Sequence, residues 1–194
     1  MTEPVVELVG SDTLASRISE LGREIATDYA GLRPVLVGVM KGAIPFLADL
    51  VRAIDIDLQV DFLDLTRFGE SGRVRIAMDT EISLADRHVI LVEDIVDTGL
   101  TLVALRSLIE TRDPASVVTV ALVDKSVRRL IDVPLEYRGF EVGDEFLLGY
   151  GLDWDEKYRN LTSLWAVLDL GRFGDDPELL GRLAFRTDGD SVTP

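Results

Sequence analysis

The chain has 194 residues, enough for one domain that buries a core without a metal or disulfide to hold it. Hydrophobic residues make up 47% and charged residues 28%, which excludes a disordered chain. There is no cysteine and one histidine, His88, which excludes disulfides, thiolate chemistry, cysteine-ligated zinc and a histidine-rich metal site. The formal charge of −15 argues against nonspecific binding to nucleic acid, which needs a basic stripe. The opening MTEPVVELVG has no basic region followed by an apolar stretch, so no signal peptide is expected. No apolar run approaches the ~18–20 residues of a membrane span, and the expected address is the cytoplasm.

The first predicted element is a helix from about Thr13 to Tyr29. Leu14, Ile18, Leu21, Ile25 and Tyr29 share one face, and Ser11 or Asp12 can cap the start. VLVGVM after Pro34 reads as a short buried strand, and KGAIPF opens a helix to about Ala53, with Pro45 tolerated in the first turn. Leu58 to Leu65 alternates as a strand, TRFGESGR reads as a loop with two glycines, and VRIAM as a third strand. HVILVED is apolar on both faces, the pattern of a central parallel strand covered by helices. The loop IVDTG leads to a helix over Leu100–Glu110, and SVVTVALVD is the next strand. Short strand-like runs follow (LEYRGF, EFLLGYGL, LTSLWAVLDL), and the Gly-, Asp- and Arg-rich residues 171–194 read as a partly ordered tail.

The most informative window is VILVEDIVDTGLT. A buried strand ends in Glu93 and Asp94; Asp97, Thr98, Gly99 and Thr101 follow at a helix start. In open α/β sheets ligands bind beyond the carboxyl ends of strands, so three carboxylates stand where a ligand would sit. Such carboxylates repel, and vicinal hydroxyls or a divalent cation would relieve them. The helix start offers backbone N–H groups to a phosphate, Gly99 permits close approach, and the threonines add hydroxyls. Together these describe a site for a ribose 5-phosphate, against the plainer alternative of a solvated acidic loop with Asp97 or Thr98 as an N-cap.

VEDIVDTGLT closely resembles the phosphoribosyl-pyrophosphate motif of type I phosphoribosyltransferases. VGVMKGAIPFLADLVRAI, ALVDKSVRR and YRGFEVGDEFLLGYGLDWDEKYRNL resemble, in order, the pyrophosphate-loop, purine-lysine and base-stacking segments of the hypoxanthine-guanine phosphoribosyltransferases. The resemblance covers about Val35 to Leu168. It implies an α/β fold, a twisted parallel sheet flanked by helices on both faces, with a small hood from the chain ends. In that reading residues 1–170 form a single domain, with the core at about 35–130, the hood at about 1–15 and 131–170, and the tail at 171–194.

The resemblance also implies an activity and its residues: transfer of 5-phosphoribosyl from phosphoribosyl pyrophosphate to an oxopurine, hypoxanthine or guanine, with Mg²⁺ as cofactor. Glu93 and Asp94 match the pair that holds the ribose hydroxyls directly or through metal-bound water. Asp97 matches the general base at the purine N7 proton, and Thr98, Gly99, Leu100 and Thr101 match the 5-phosphate loop. Lys41 and Gly42 match the pyrophosphate loop, where the peptide Met40–Lys41 can be cis; read alone, Lys41 could equally be a solvated strand-end lysine. Lys125 matches the lysine at the purine 6-oxo group, against a surface lysine in a basic turn with Arg128 and Arg129. Phe146 matches the base-stacking aromatic (otherwise a core residue), Leu147 its neighbour at the base edge, and Asp153 a magnesium ligand near the base. Arg159 matches a pyrophosphate contact, against a salt bridge within DEKYR. Trp154 is expected to pack beneath this segment, and His88 to begin a strand with no catalytic role. The family implies a homodimer or homotetramer and neither nucleic acid nor membrane as partner.

One departure stands out. After Asp61–Phe62 the family's lid loop is longer and carries Ser-Tyr, whereas here TRFGESGR is several residues short, with Arg67-Phe68 in that place. A shortened lid leaves open a second reading, a slow or catalytically quiet relative that senses the nucleotide or its donor.

Overall fold

The computed structural model describes residues 3–68 and 73–185. The described chain divides into two compact units, Asp12–Asp144 and the segments that precede and follow it.

In the larger unit, α1 (Ser11–Asp28) and α2 (Ile44–Ala53) flank β2 (Val35–Val39) in sequence; β3 (Gln59–Phe68), β4 (Arg73–Met78) and β5 (His88–Val96) follow. The chain continues through α3 (Leu100–Glu110), β6 (Ser116–Asp124), a 3-10 turn at Ser126–Arg128, and β7 (Tyr137–Glu141). Six strands form one sheet in the order β4-β3-β2-β5-β6-β7, parallel except for the β3–β4 pair. Strand alternation turns Val35, Val37, Leu63, Val89 and Leu91 to one face, where they pack with Leu102, Leu105 and Ile109 of α3. On the other face Gly38 lies under α2: a Cβ there would meet Leu47 Cδ2 at 2.6 Å. The first helix packs against the second just as closely, since a Cβ on Gly22 would fall 2.6 Å from the Ala53 carbonyl oxygen. Helices therefore cover both faces, which is why VILV in β5 is apolar throughout.

Several boundaries differ from the sequence reading. The central strand runs on to Val96, because Ile95 and Val96 stay in register with Val123 and Asp124 of β6. Thr66–Phe68 and Arg73, read as loop, belong to the antiparallel hairpin of β3 and β4, with Phe68 opposite Arg73; the rest of the expected lid, residues 69–72, lies outside the described residues. The segment assigned to the hood from residue 131 instead adds Tyr137–Glu141 to the large sheet, parallel to β6. Gly139 permits this pairing, since a Cβ there would sit 2.3 Å from the Leu122 carbonyl oxygen.

The smaller unit has an antiparallel sheet of β1 (Val5–Val9), β9 (Leu164–Val167) and β8 (Phe146–Leu148), in that order. The sequence pattern predicts no strand at Val5–Val9, which pairs with Leu164–Val167. The expected tail begins with two short helices, α4 (Leu170–Asp175) and α5 (Leu179–Ala184), which bury Phe173 and Leu180 with Val5, Leu148 and Val167. Asp169 caps α4 by accepting from Arg172 N at 3.0 Å. Residues 186–194 lie outside the described residues. Among the described residues no helix is long and apolar enough to cross a membrane.

Candidate functional site

The strand order creates a place for a ligand. From β2 the chain moves outward to β3 and β4, then returns to β5 on the other side of β2. The connections leaving β2 and β5 thus diverge, opening a crevice at their carboxyl ends. The turn Met40–Ala43 follows β2, and Asp97–Gly99 follows β5. The two segments carry Lys41, Gly42, Asp97, Thr98 and Gly99, and the first of them touches the end of β5. A Cβ on Gly42 would lie 1.5 Å from Asp94 Oδ2, so the Gly42 backbone backs directly onto that carboxylate. The peptide Met40–Lys41 is cis, as the resemblance implied. Lys41 is exposed.

Residues Glu93 to Gly99, with Thr101 and Leu102, line a hollow of about 230 Å³. A larger one, about 470 Å³, lies at the opposite ends of the strands, among Leu32, Arg33, Asp57, Leu58, Gln59 and Arg87. There Arg33 and Asp57 pair with each other at 2.5 Å, and the carboxylates of the acidic strand are absent from its lining. The smaller hollow has the chemistry.

Alternation separates the two neighbouring acids. Glu93 continues the face of Val89 and Leu91, while Asp94 continues that of Ile90 and Val92. Glu93 is 6% exposed, and burial, reinforced by the Asp94 charge, pushes its carboxyl well above the ordinary range. Asp94 Oδ1 accepts from Ile95 N at 2.7 Å. Gly99, with φ +85°, caps α3 in a left-handed conformation; a Cβ there would lie 2.9 Å from the Ile131 carbonyl oxygen. Leu100 N approaches Thr98 Oγ1 at 3.4 Å, and Thr101 lies in the first turn of the helix.

Asp97 is half-exposed and lies 2.7 Å from Arg128 Nε. The sequence brings in Arg128 and Arg129 only as a basic turn in the alternative reading of Lys125, and it gives Asp97 no partner. Arg129 pairs closely with Asp124 and donates to the Asp97 carbonyl at 3.2 Å. Asp124, 1% exposed, is also held by Arg138 at 2.8 Å. Lys125, next in the chain, is buried, and its N–H donates to the Val96 carbonyl at 2.9 Å. An acid at a strand end followed by two adjacent arginines was the available signal.

In the smaller unit, Phe146 is half-buried with its ring edge-on to Trp154 at 5.5 Å, and Trp154 meets Phe173 at 5.2 Å, so Trp154 does pack within this segment. Leu147 is buried in β8 opposite Ala166. Asp153 is engaged on both oxygens, by Arg159 at 2.8 Å and by Glu156 N at 2.9 Å. Arg159 also reaches Glu156 and donates to the Gly151 carbonyl at 2.7 Å, so it has its partners inside its own loop. Asp155, Glu156 and Tyr158 have left-handed backbones, conformations that side chains rarely adopt and that cluster at functional loops. His88 begins β5, bonds Ser116 Oγ through Nδ1 at 2.8 Å and meets Tyr29 edge-on, a structural role.

For a divalent cation the donor chemistry fits. Among the described residues no three potential ligands converge. Magnesium, however, is commonly held by one or two carboxylates together with substrate phosphates, and Glu93 is a buried carboxyl that gains from a nearby positive charge.

The family model of the phosphoribosyl transferase domain matches residues 10–155. A Bacillus subtilis hypoxanthine-guanine phosphoribosyltransferase is 41% identical over 164 residues, covering 82% of this chain and 91% of its own length. The bifunctional TilS/HprT protein of Listeria monocytogenes is 45% identical over 158 residues, 79% of this chain; the chain spans 24% of that longer relative. Among solved structures, a Bacillus anthracis hypoxanthine-guanine phosphoribosyltransferase superposes with a TM-score of 0.81 at 37% identity, covering 84% of this chain and 98% of its own. A Staphylococcus aureus hypoxanthine phosphoribosyltransferase gives 0.80 at 36% identity, over 84% of this chain and 90% of its own. With the crevice between β2 and β5 and these matches across most of its length, the chain belongs to the phosphoribosyl transferase domain family and, within it, to the hypoxanthine-guanine phosphoribosyltransferases.

Proposed function

We propose that this chain transfers the 5-phosphoribosyl group of phosphoribosyl pyrophosphate to a nitrogen of hypoxanthine or guanine, releasing pyrophosphate. The observation that carries the reading is the contact of Gly42 with Asp94, which joins the turn after β2 to the acidic strand beside a helix start. Thr98, Gly99, Leu100 and Thr101 offer N–H and hydroxyl groups to the 5-phosphate. Glu93 and Asp94 approach the ribose hydroxyls, while Lys41, Gly42 and Arg159 meet the pyrophosphate. Arg159 would exchange a partner within its loop to do so.

As the bond to pyrophosphate breaks, positive charge develops on the sugar, and the carboxylates favour it. Asp97 takes the proton from purine N7, which keeps charge from building on the base. Lys125 donates to the 6-oxo group, favouring hypoxanthine and guanine over adenine. Phe146 stacks on the base and the Leu147 backbone meets its edge. Glu93, Asp94 and Asp153 would hold Mg²⁺, which supplies charge neutralisation of the leaving pyrophosphate when bound. An acidic chain can thus take an anionic donor as its magnesium complex on backbone N–H groups. The proposed setting is cytoplasmic, with the chain acting as a homodimer or homotetramer.

The relatives carry enzyme names, and nothing in them favours the sensor reading. The test is pyrophosphate release with hypoxanthine, guanine, xanthine and adenine. Release with the oxopurines is expected, with Asp97→Asn lowering kcat far more than donor affinity. Tight donor binding without release on any base would overturn the proposal.

A further inference from the structure

Three consecutive carbonyls at the end of the acidic strand are tied to one segment. Val96 O accepts from Lys125 N at 2.9 Å, Asp97 O from Arg129 Nη1 at 3.2 Å, and Thr98 O from Leu130 N and Ile131 N at 3.0 and 3.3 Å. Among the described residues only Met40–Lys41 is cis, so these peptides are trans, and in a trans peptide the N–H points opposite to the C=O. Fixing the three carbonyls toward residues 125–131 turns the N–H groups of Asp97, Thr98 and Gly99 away from that segment, and the hollow that these three residues line has none of residues 125–131 in its wall. Successive N–H groups aimed at one point form an anion-binding nest.

Two of the three ties are backbone to backbone. The middle one depends on a side chain, and that side chain is itself anchored. Arg129 pairs with Asp124, which is 1% exposed and keeps a second partner in Arg138. The aliphatic stem of Arg129 also lies against Gly99, with Cδ 3.1 Å from where a Cβ would stand.

We infer that Arg129, locked by Asp124, is a positioning residue: it sets the plane of the peptide between Asp97 and Thr98 so that the Thr98 N–H faces the sugar phosphate. It touches no substrate. The inference rests on the proposed phosphate role of this loop and goes beyond it by assigning the fork that shapes the loop. A planar guanidinium can hold Asp124 with one nitrogen and the Asp97 carbonyl with another, a geometry that an ammonium lacks.

The test uses Arg129→Lys, Arg129→Gln, Asp124→Asn and the double variant Asp124→Asn/Arg129→Gln. Calorimetry reads affinity for phosphoribosyl pyrophosphate and ribose 5-phosphate, pyrophosphate release reads kcat and the base KM, and a thermal melt reports folding. Arg129→Lys keeps the charge beside Asp124, and in Arg129→Gln Asp124 retains Arg138, so both should fold. Both should lose affinity for the two phosphate ligands by on the order of 10–100-fold, the usual scale for misplacing a binding group through its support. The base KM should stay within about twofold, and the double variant should be no worse than Arg129→Gln, because the two residues act in series.

Unchanged phosphate-ligand affinity in Arg129→Lys and Arg129→Gln would overturn the inference. So would losses that fall equally on the base KM, or that track a lowered melting temperature. Asp97→Asn, run alongside, separates the two levels. If it abolishes turnover while the Arg129 variants are silent, the function stands and the positioning role falls. If the unsubstituted chain binds neither phosphate ligand, both fall.

Discussion

The replacement Gly42→Ala tests the crevice directly. An added Cβ would stand 1.5 Å from Asp94 Oδ2 and 2.6 Å from its Cγ. Ordinary contact lies near 3.5 Å, so the carboxylate must withdraw by roughly 2 Å. That motion breaks its bond from Ile95 N, made at 2.7 Å. A hydrogen bond to a charged group contributes about 1.5–3 kcal/mol, and a side chain forced off its rotamer adds about 0.5–1.5 kcal/mol. The substitution therefore costs roughly 2–4.5 kcal/mol. If Asp94 meets the donor, that cost appears in catalysis as a fall in kcat/KM of roughly 30- to 2000-fold, at tenfold per 1.36 kcal/mol. Pyrophosphate release over a range of donor concentrations measures it, with a thermal melt beside it. Wild-type kcat/KM in a variant that has lost the full amount in stability would refute the placement of Asp94 at the ligand. Wild-type values in both would refute the steric argument itself.

Glu93→Gln should stabilise the ligand-free protein at neutral and higher pH. The folded carboxyl titrates well above its ordinary value of 4.5, first through burial and then through Asp94, so the stability it contributes is complete below the unfolded value and is lost as pH rises through the folded one. Glutamine has no such loss, and melting temperatures from pH 4 to 8 without magnesium should diverge upward in its favour; a gap that closes with rising pH would contradict this. In the smaller unit, Phe173→Ala removes a fully buried ring from the cluster with Val5, Leu148 and Leu180 and should cost about 3–5 kcal/mol in denaturant unfolding. Gly174→Ala, one residue on, has no atom within 4 Å of the new Cβ and should be neutral to stabilising by up to ~1 kcal/mol; a lower denaturation midpoint would show that the helix needs glycine there.

Much of the larger unit was legible because its signals are local. The VILV run and the Leu14–Ile18–Leu21–Ile25 stripe state their own burial and are buried as read, and the Leu100–Glu110 helix spans the residues expected for it. What escaped depends on partners far along the chain. Val5–Val9 has no pattern that announces a strand until Leu164–Val167 lies beside it. Tyr137–Glu141 looked like part of a separate hood because a parallel edge strand carries little periodicity over five residues. At the site, residue types and order pointed to the acidic strand and its turn. The side each acid takes follows by alternation from Val89–Val92, but the burial of Glu93 does not show while the strand is taken to end at Asp94. The partners of the arginines were hidden for a related reason. A pair of basic residues in a turn looks solvated until Asp124 is found buried beneath it.

The pairing of β1 with β9 has a consequence for synthesis. Val9 and Leu164 are neighbours across that ladder although 155 residues separate them in the chain. A ribosome adding about 5–20 residues per second leaves the first strand waiting roughly 8–30 s for its mate. Asp12–Asp144, an unbroken stretch, is complete before then. The nascent protein can thus finish the unit that holds Glu93, Asp94 and Asp97 while Val5 still lacks the shelter of its own sheet.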